Sequence, residues 1–233
     1  MNQQSEEVNE KWDKVYSQNL MTMWYPNEDI IRFCARLIKK RLTHDQYEVK
    51  RDVRAVLDLG CGNGRHAIYF AKLGMKAAGV DVSQQAIDWA SEWAKREGLE
   101  VDFRVGDIAA LPYPDGSFDA VVSHGVLDHV KPALAAAATR EVRRILTPGG
   151  LFYCDLRSAD DFEYGTGTEV EPNTFVVSHG YEAGLVQHFF THEEILAMFD
   201  GLFRIIYSEI TERRIEPDFQ RRYSRWVLAA EAI

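Results

Sequence analysis

Apolar positions along this chain recur with two periods, and the alternation between them organises most of its length. Over 27–42, Ile30, Ile31, Phe33, Cys34, Leu37 and Ile38 follow the i, i+3, i+4 spacing of a helix with one buried face. The next apolar run, 54–59, is short and nearly continuous, as in a strand covered on both faces, and leads straight into a glycine-rich turn at 60–64. A helix over 66–73, a strand over 76–80 and a helix over 84–97, capped by Ser83 and stopped by Gly98, follow. Strands over 101–105, 118–123 and 151–156, with an alanine-rich helix over 133–146, continue the pattern. Crossovers between parallel strands must be covered and right-handed, so the order predicts an α/β fold with a doubly wound, mostly parallel sheet.

After 156 the alternation breaks. Gly165, Gly167, Pro172, Gly180 and Gly184 punctuate the apolar runs 174–177 and 185–190, which predicts paired strands inserted after the fifth strand. Thr191 and Glu194 have capping-box spacing for a helix ending near Phe199. Two more strands, 203–210 and 225–230, flank a polar turn around Pro217. The expected organisation is a single domain, 1–233: an N-terminal cap (1–50), a core (51–156), a lid-like insertion (157–190) and a C-terminal helix and strand pair (191–233).

Composition narrows the partners. A hydrophobic fraction of 46% over 233 residues suffices for a sizeable core, and a net charge of -9 disfavours nonspecific binding to nucleic acid or to an anionic membrane. A small-molecule substrate is expected. The basic clusters Lys39-Lys40-Arg41, at a helix end, and Arg213-Arg214 and Arg221-Arg222, beside the last turn, are expected to be solvated faces, with a mouth for an acidic substrate as the alternative for the last two. Cys34, Cys61 and Cys154 show neither a disulfide framework nor metal-ligand spacing, and Cys61 serves as a small filler in the turn. His44, His66, His179 and His192 form no metal-spaced group, so no metal is expected. With no apolar leader pattern near Met1 and no run long enough to cross a bilayer, a cytoplasmic protein is expected.

The chemistry enters at Asp58, two residues before Gly60-x-Gly62-x-Gly64. A pyrophosphate at this turn would meet a carboxylate as well as a helix N-terminus, a repulsion of several kcal/mol in a partly desolvated cleft. An ammonium group is favoured there instead. Arg65 also stands where the dinucleotide fingerprint wants its third glycine, which counts against a nicotinamide oxidoreductase, as does the lack of an obvious Tyr-x-x-x-Lys pair. Further segments follow in order: Gly79-Val80-Asp81-Val82-Ser83, Val105-Gly106-Asp107-Ile108, Phe118-Asp119-Ala120-Val121-Val122-Ser123 and Leu146-Thr147-Pro148-Gly149-Gly150-Leu151-Phe152.

Together these five segments resemble the class I S-adenosylmethionine (SAM) dependent methyltransferases. The resemblance implies a seven-stranded sheet ending in an antiparallel hairpin, with SAM as cofactor and S-adenosylhomocysteine as product. It implies cofactor contacts from Asp58, Gly60, Cys61, Gly62, Asn63 and Gly64 at the turn. Asp81 and Val82 would lie at the ribose, Asp107 and Ile108 at the adenine, and Ser123 and His124 in the pocket wall. A non-catalytic SAM-binding protein is the alternative.

Methyl transfer from a sulfonium is an in-line displacement that releases a neutral thioether, so positioning dominates and can lower the barrier by roughly 7–11 kcal/mol. A base is needed only for an acceptor that retains a proton. His129 and His124 are the candidate catalytic residues, with a packed, supporting role as the alternative for His129. The aromatic and thioether-rich stretch Trp12, Tyr16, Met21, Met23, Trp24 and Tyr25 would either staple the helix or cover the acceptor. As a lid, Tyr16, Trp24 and Tyr25 would approach from one side and Arg157, Tyr164 and His188 from the other. Glu163-Tyr164-Gly165-Thr166-Gly167 and Glu171-Pro172-Asn173-Thr174-Phe175 resemble segments of bacterial methyltransferases acting on modified sugars or secondary metabolites, with an oxygen or nitrogen nucleophile expected.

Overall fold

The computed structural model describes residues 3–18, 23–215 and 221–233, so Met21 and Pro217 lie outside the described residues. The N-terminal helix α1 (Gln3–Ser17) precedes α2 (Glu28–Leu37), which starts where the Asp29 amide donates to the Asn27 side chain at 2.7 Å. Helix α2 stops short of the expected 42. Lys39–Arg41 forms β1, paired antiparallel with β2 (Tyr47–Val49), and the Lys39 ammonium lies 4.6 Å over the Tyr47 ring. The basic triplet is therefore a strand and not a helix end. It has no apolar stripe to bury against the sheet, whereas pairing with Tyr47 covers its aliphatic stems.

The alternating core comprises β3 (Ala55–Leu59), α3 (Arg65–Lys72), β4 (Lys76–Asp81), α4 (Gln84–Arg96), β5 (Val101–Val105) and β6 (Phe118–Ser123). A 3-10 turn at Leu127–His129, α5 (Pro132–Ile145) and β7 (Leu146–Arg157) complete it. The insertion supplies β8 (Thr168–Glu171), β9 (Thr174–Val176) and β10 (Val186–His188), and the chain ends with α6 (His192–Phe199), β11 (Phe203–Ile215) and β12 (Arg221–Ala232). Both partners of the expected capping box of α6 are in place on Thr191 and Glu194.

Seven strands form one sheet in the order β11-β12-β7-β6-β3-β4-β5. The five from β7 to β5 are parallel, while β12 runs antiparallel to both of its neighbours, so β11 again points with the parallel set. Strand order reverses between β3 and β6, whose last residues, Leu59 and Ser123, are register partners. A crevice at such a switch point is where open α/β sheets bind ligands.

Both faces are covered. Ile30, Phe33 and Cys34 of α2 pack with Ala67 and Phe70 of α3 on Val56, Val122, Tyr153 and Val227, and the opposite face sets Ala135, Ala138 and Val142 of α5 and Phe199 of α6 against Leu57, Val121, Phe152 and Leu228. The insertion is a small antiparallel sheet, β10-β9-β8, fastened to the domain by a bridge between Ser158 and Phe190. The terminal hairpin is longer than its hydropathy suggests, because backbone pairing continues through Arg214↔Arg222 and Ile215↔Arg221 after the apolar alternation has ended. Among the described residues no helix is long and apolar enough to cross a membrane.

Phe33 is fully buried, 5.3 Å from the Tyr153 ring. Phe33→Ala is expected to lower unfolding stability by about 3–5 kcal/mol in urea titrations. Ile31→Ala, on the exposed side of the same helix, should change it by about 0.5 kcal/mol or less.

Candidate functional site

Three short segments converge at the switch point. After β3 the backbone N–H groups of Gly60 and Cys61 both donate to the Val80 carbonyl, at 2.8 and 3.0 Å, turning the chain back towards β4. Gly62 N–H then donates to one oxygen of Asp81 at 2.8 Å, and Ser83 N–H donates to the other at 3.0 Å. Burial pushes the Asp81 carboxyl up to about 6, although these amides favour its charged form. Gly64 begins α3 at a φ of +83°, and a Cβ there would sit 2.7 Å from the Phe103 ring, so the turn requires glycine for both conformation and space.

Asp58 is buried at the end of β3 and faces the first turn of α3. Its carboxylate accepts from the Ala67 amide at 3.2 Å and lies 3.5 Å from His66 Nδ1. Burial lowers the His66 imidazole below its ordinary value despite that carboxylate. The Asn27 amide donates to His66 Nε2 at 3.3 Å, and Asn27 Nδ2 lies 3.2 Å from His124 Nε2. Asn27 thereby links the two sides of the crevice. Asn63 of the glycine turn donates to the Met23 carbonyl at 2.8 Å, which draws the segment before α2 across the turn.

Helix α1 closes over this assembly. Tyr16 is buried against Gly62, where an added Cβ would lie 2.4 Å from the phenol oxygen, and burial followed by the Asp81 charge raises its phenol pKa well above normal. Asp13 accepts from the Ser83 hydroxyl at 2.5 Å and the Gln85 amide at 3.2 Å, at the N-terminus of α4 where a carboxylate is favoured. Lys11 donates to the Gly184 carbonyl of the insertion at 2.9 Å, and Trp12 meets His129 edge-on at 5.3 Å.

The other wall is a buried ion network. Arg225 of β12 donates through Nε to Asp155 at 2.6 Å and through Nη2 to Asp128 at 2.9 Å. Burial alone would raise the Asp155 carboxyl, but Arg225, with His124 and the Gly125 amide, outweighs it and holds the group below the usual carboxylate range. Asp128 is lowered in the same way, burial being overcome by Arg225 and His129. Arg157 is the register partner of Arg225 and lies 3.6 Å from Asp128 and 3.7 Å from Glu182, with Glu163 also against its guanidinium. His124 Nδ1 stands 3.1 Å from Asp155, and His129 Nε2 stands 3.8 Å from Glu182.

The remaining expected residues lie at different distances from this centre. Trp24 packs edge-on against Trp93 of α4 at 5.0 Å, and Tyr25 is 83% exposed. Asp107 is exposed and accepts from the Ala109 amide at 2.9 Å, while Ile108 is buried in the core beside Leu111 and Tyr113. Val82 is half-buried between Asp81 and Ser83, Ser123 is fully buried, and Cys61 is buried with its thiol pKa raised by desolvation. Tyr164 donates to Asn173 at 2.8 Å, and His188 Nδ1 faces the Thr174 hydroxyl at 2.8 Å, so both are held within the insertion. Asp13, Asn27, His66, Asp128, Asp155, Glu182 and Arg225 were not expected from sequence. Only Asp155, at the C-terminal end of a central strand, carried a positional signal.

A family model described as a methyltransferase domain matches residues 56–150. A sterol 24-C-methyltransferase, ERG6B, from Gibberella zeae is 32% identical over 166 residues, covering 63% of this chain and 42% of that protein. The chain thus spans less than half the length of this curated relative. A solved SAM-dependent methyltransferase from Methanosarcina mazei is 25% identical with a TM-score of 0.66, over 78% of this chain and 94% of that one. The 1,6-didemethyltoxoflavin-N1-methyltransferase of Burkholderia thailandensis, solved with bound 1,6-didemethyltoxoflavin and S-adenosylhomocysteine, shares the fold at 18% identity and a TM-score of 0.69, over 97% of this chain and 87% of that one.

Arg225→Leu would leave Asp128 and Asp155 buried without their shared cation, and a loss of about 3–5 kcal/mol is expected at pH 7 by denaturant unfolding. Both carboxyls are depressed in the native protein, so their contribution is present above the ordinary carboxylate range and is lost as pH falls through their folded values. In the variant unopposed burial makes them protonate readily. The difference between the two proteins should therefore narrow on acidification.

Proposed function

Because this chain belongs to the class I SAM-dependent methyltransferases, we propose that it transfers the methyl group of SAM to a small-molecule acceptor carrying an oxygen or nitrogen nucleophile. The observation that carries the reading is Asp81. Its two oxygens each take one backbone N–H, from Gly62 and Ser83, at the C-terminal end of a strand beside the switch point. Each oxygen keeps a lone pair, which suits the two donors of a ribose diol and offers nothing to a phosphate. The bound sulfonium supplies an electrophilic methyl carbon and leaves as a neutral thioether.

The chain's own residues bind, orient and exclude water. Gly60, Cys61, Gly62, Asn63 and Gly64 form the turn along the methionyl part, with Asp58 behind it holding the first turn of α3. Val82 borders the ribose, Asp107 and Ile108 border the adenine, and Ser123 and His124 line the wall towards the acceptor. Tyr16, pressed on Gly62, closes the cofactor side. Arg157 faces the acceptor side, and Trp24, Tyr25, Tyr164 and His188 belong to the outer rim and support of the two covering segments. The breadth of small molecules named among related methyltransferases supports a small acceptor, and a modified sugar or secondary metabolite is the class favoured.

Calorimetry with S-adenosylhomocysteine tests the binding half. Ribose hydroxyls donate to the ionised Asp81, so the complex prefers the carboxylate, whereas the free group titrates at about 6. Affinity should hold above that pH and fall up to about tenfold per pH unit below it, with proton release on binding. Asp81→Asn should weaken binding about tenfold or more at pH 7.5 and flatten this dependence. Absence of heat with both SAM and S-adenosylhomocysteine at neutral pH would sink the proposal. Formation of S-adenosylhomocysteine from SAM in the presence of a panel of phenols, alcohols and amines tests the transfer half.

A further inference from the structure

We propose that Glu182, at the tip of the β9–β10 hairpin, positions His129 as the base that removes the acceptor's proton, an inference that rests on the methyl-transfer reading above. His129 sits in the 3-10 turn directly after β6, the switch-point strand, and β10 of the insertion packs on that turn. Its side chain is 7% exposed, and Nε2 lies 3.8 Å from Glu182 Oε1. The opposite ring nitrogen, Nδ1, is buried and has no hydrogen-bond partner within the described residues. A buried imidazole nitrogen without a partner is costly in a purely structural role, and it suits a proton that arrives with the substrate.

Glu182 is itself held in place. Gln187 donates to its Oε2 at 2.5 Å and Arg157 lies 3.7 Å from the same oxygen, which leaves Oε1 turned to the imidazole. The turn beneath it is closed by the Leu185 amide donating to the Glu182 carbonyl at 2.9 Å and by Gly184 N–H donating to Val177 at 2.7 Å. An ionised carboxylate can only accept, so it selects the tautomer with the proton on Nε2 and leaves the lone pair on Nδ1. The separation of 3.8 Å exceeds a hydrogen bond, and such contacts in unliganded sites tighten when substrate is bound. Asp128 adds negative charge beside the same ring, Arg157 opposes it, and His188 flanks the turn from β10.

His124 Nδ1 and His188 Nε2 are also buried without a hydrogen-bond partner among the described residues, but each of those nitrogens faces a carboxylate, Asp155 at 3.1 Å and Glu194 at 3.7 Å, whereas the carboxylate beside His129 lies at its other nitrogen. His124 Nε2 is further taken up by Asn27 at 3.2 Å, and His66 lies between Asp58 and the Asn27 amide. In the proposed step the acceptor oxygen or nitrogen forms its bond to the methyl carbon as the carbon–sulfur bond breaks. That bond's electron pair returns to sulfur as neutral S-adenosylhomocysteine. The acceptor's proton passes to His129 Nδ1 and then to solvent. His129 is the catalytic residue and Glu182 the positioning residue.

The test uses the full chain labelled with 15N-histidine. In the unliganded protein above the imidazole titration, long-range nitrogen–proton correlation, assigned through His129→Gln, should show His129 with its proton on Nε2. Glu182→Gln should erase that preference, and Glu182→Asp should retain it. A wild-type proton on Nδ1, or an unchanged tautomer in Glu182→Gln, would overturn the proposal. With an acceptor that the wild type turns over in the panel above, Glu182→Gln should lower kcat about 10- to 100-fold with KM for SAM unchanged, and His129→Ala should lower it about 10²- to 10⁴-fold. Equal kcat values would also overturn it. Failure of the wild type to bind S-adenosylhomocysteine or to turn over any acceptor would instead reject the methyl-transfer reading, and the tautomer would still decide the dyad.

Discussion

One guanidinium, that of Arg225, stands between the buried carboxylates of Asp128 and Asp155, and the wall of the crevice beyond β6 depends on it. The two acids come from different elements, the 3-10 turn after β6 and the end of β7. Left alone in a desolvated interior they would repel one another and take up protons. Held by one planar, two-pronged donor they become a fixed strut. Asp155 also accepts from the Gly125 amide at 2.8 Å, so the strut sets the backbone path that leads from β6 to His129.

Strand direction makes this possible. Because β12 runs against its neighbours, its N-terminal half lies beside the C-terminal ends of the parallel strands, and Arg225 pairs in register with Arg157. A parallel strand in the same place would deliver its C-terminal residues there instead. The one antiparallel insertion in the sheet thus supplies positive charge to an end of the fold that otherwise collects carboxylates from strand ends.

The side of the crevice formed by the glycine turn follows another logic. Its geometry is mainly backbone: amides of Gly62 and Ser83 grip Asp81, and glycine lets the chain turn beneath α1. Helix α1 then touches both halves, through Asp13 and Tyr16 on one side and through Trp12 and Lys11 on the other. A single covering element with contacts to both halves means that its docking is shared between the glycine turn and the turn that carries His129.

Hydropathy period, cap residues and the glycine spacing were enough to place the alternating strands and helices, the capping box at Thr191 and the turn around Gly62, because these features are set by interactions a few residues apart. The helix expected over 27–42 ran past the true end of α2 at Leu37, and the expected terminal strands were too short, because pairing of polar strands such as Lys39–Arg41 leaves little hydropathic trace. Asp81 was legible since its strand-end position follows from local pattern. Glu182 beside His129, Arg225 between Asp128 and Asp155, and Asn27 between His66 and His124 were decided only by tertiary structure. Their partners are brought together by sheet direction, register and the docking of an insertion, and Coulomb attraction in a buried site depends on distance in space rather than along the chain.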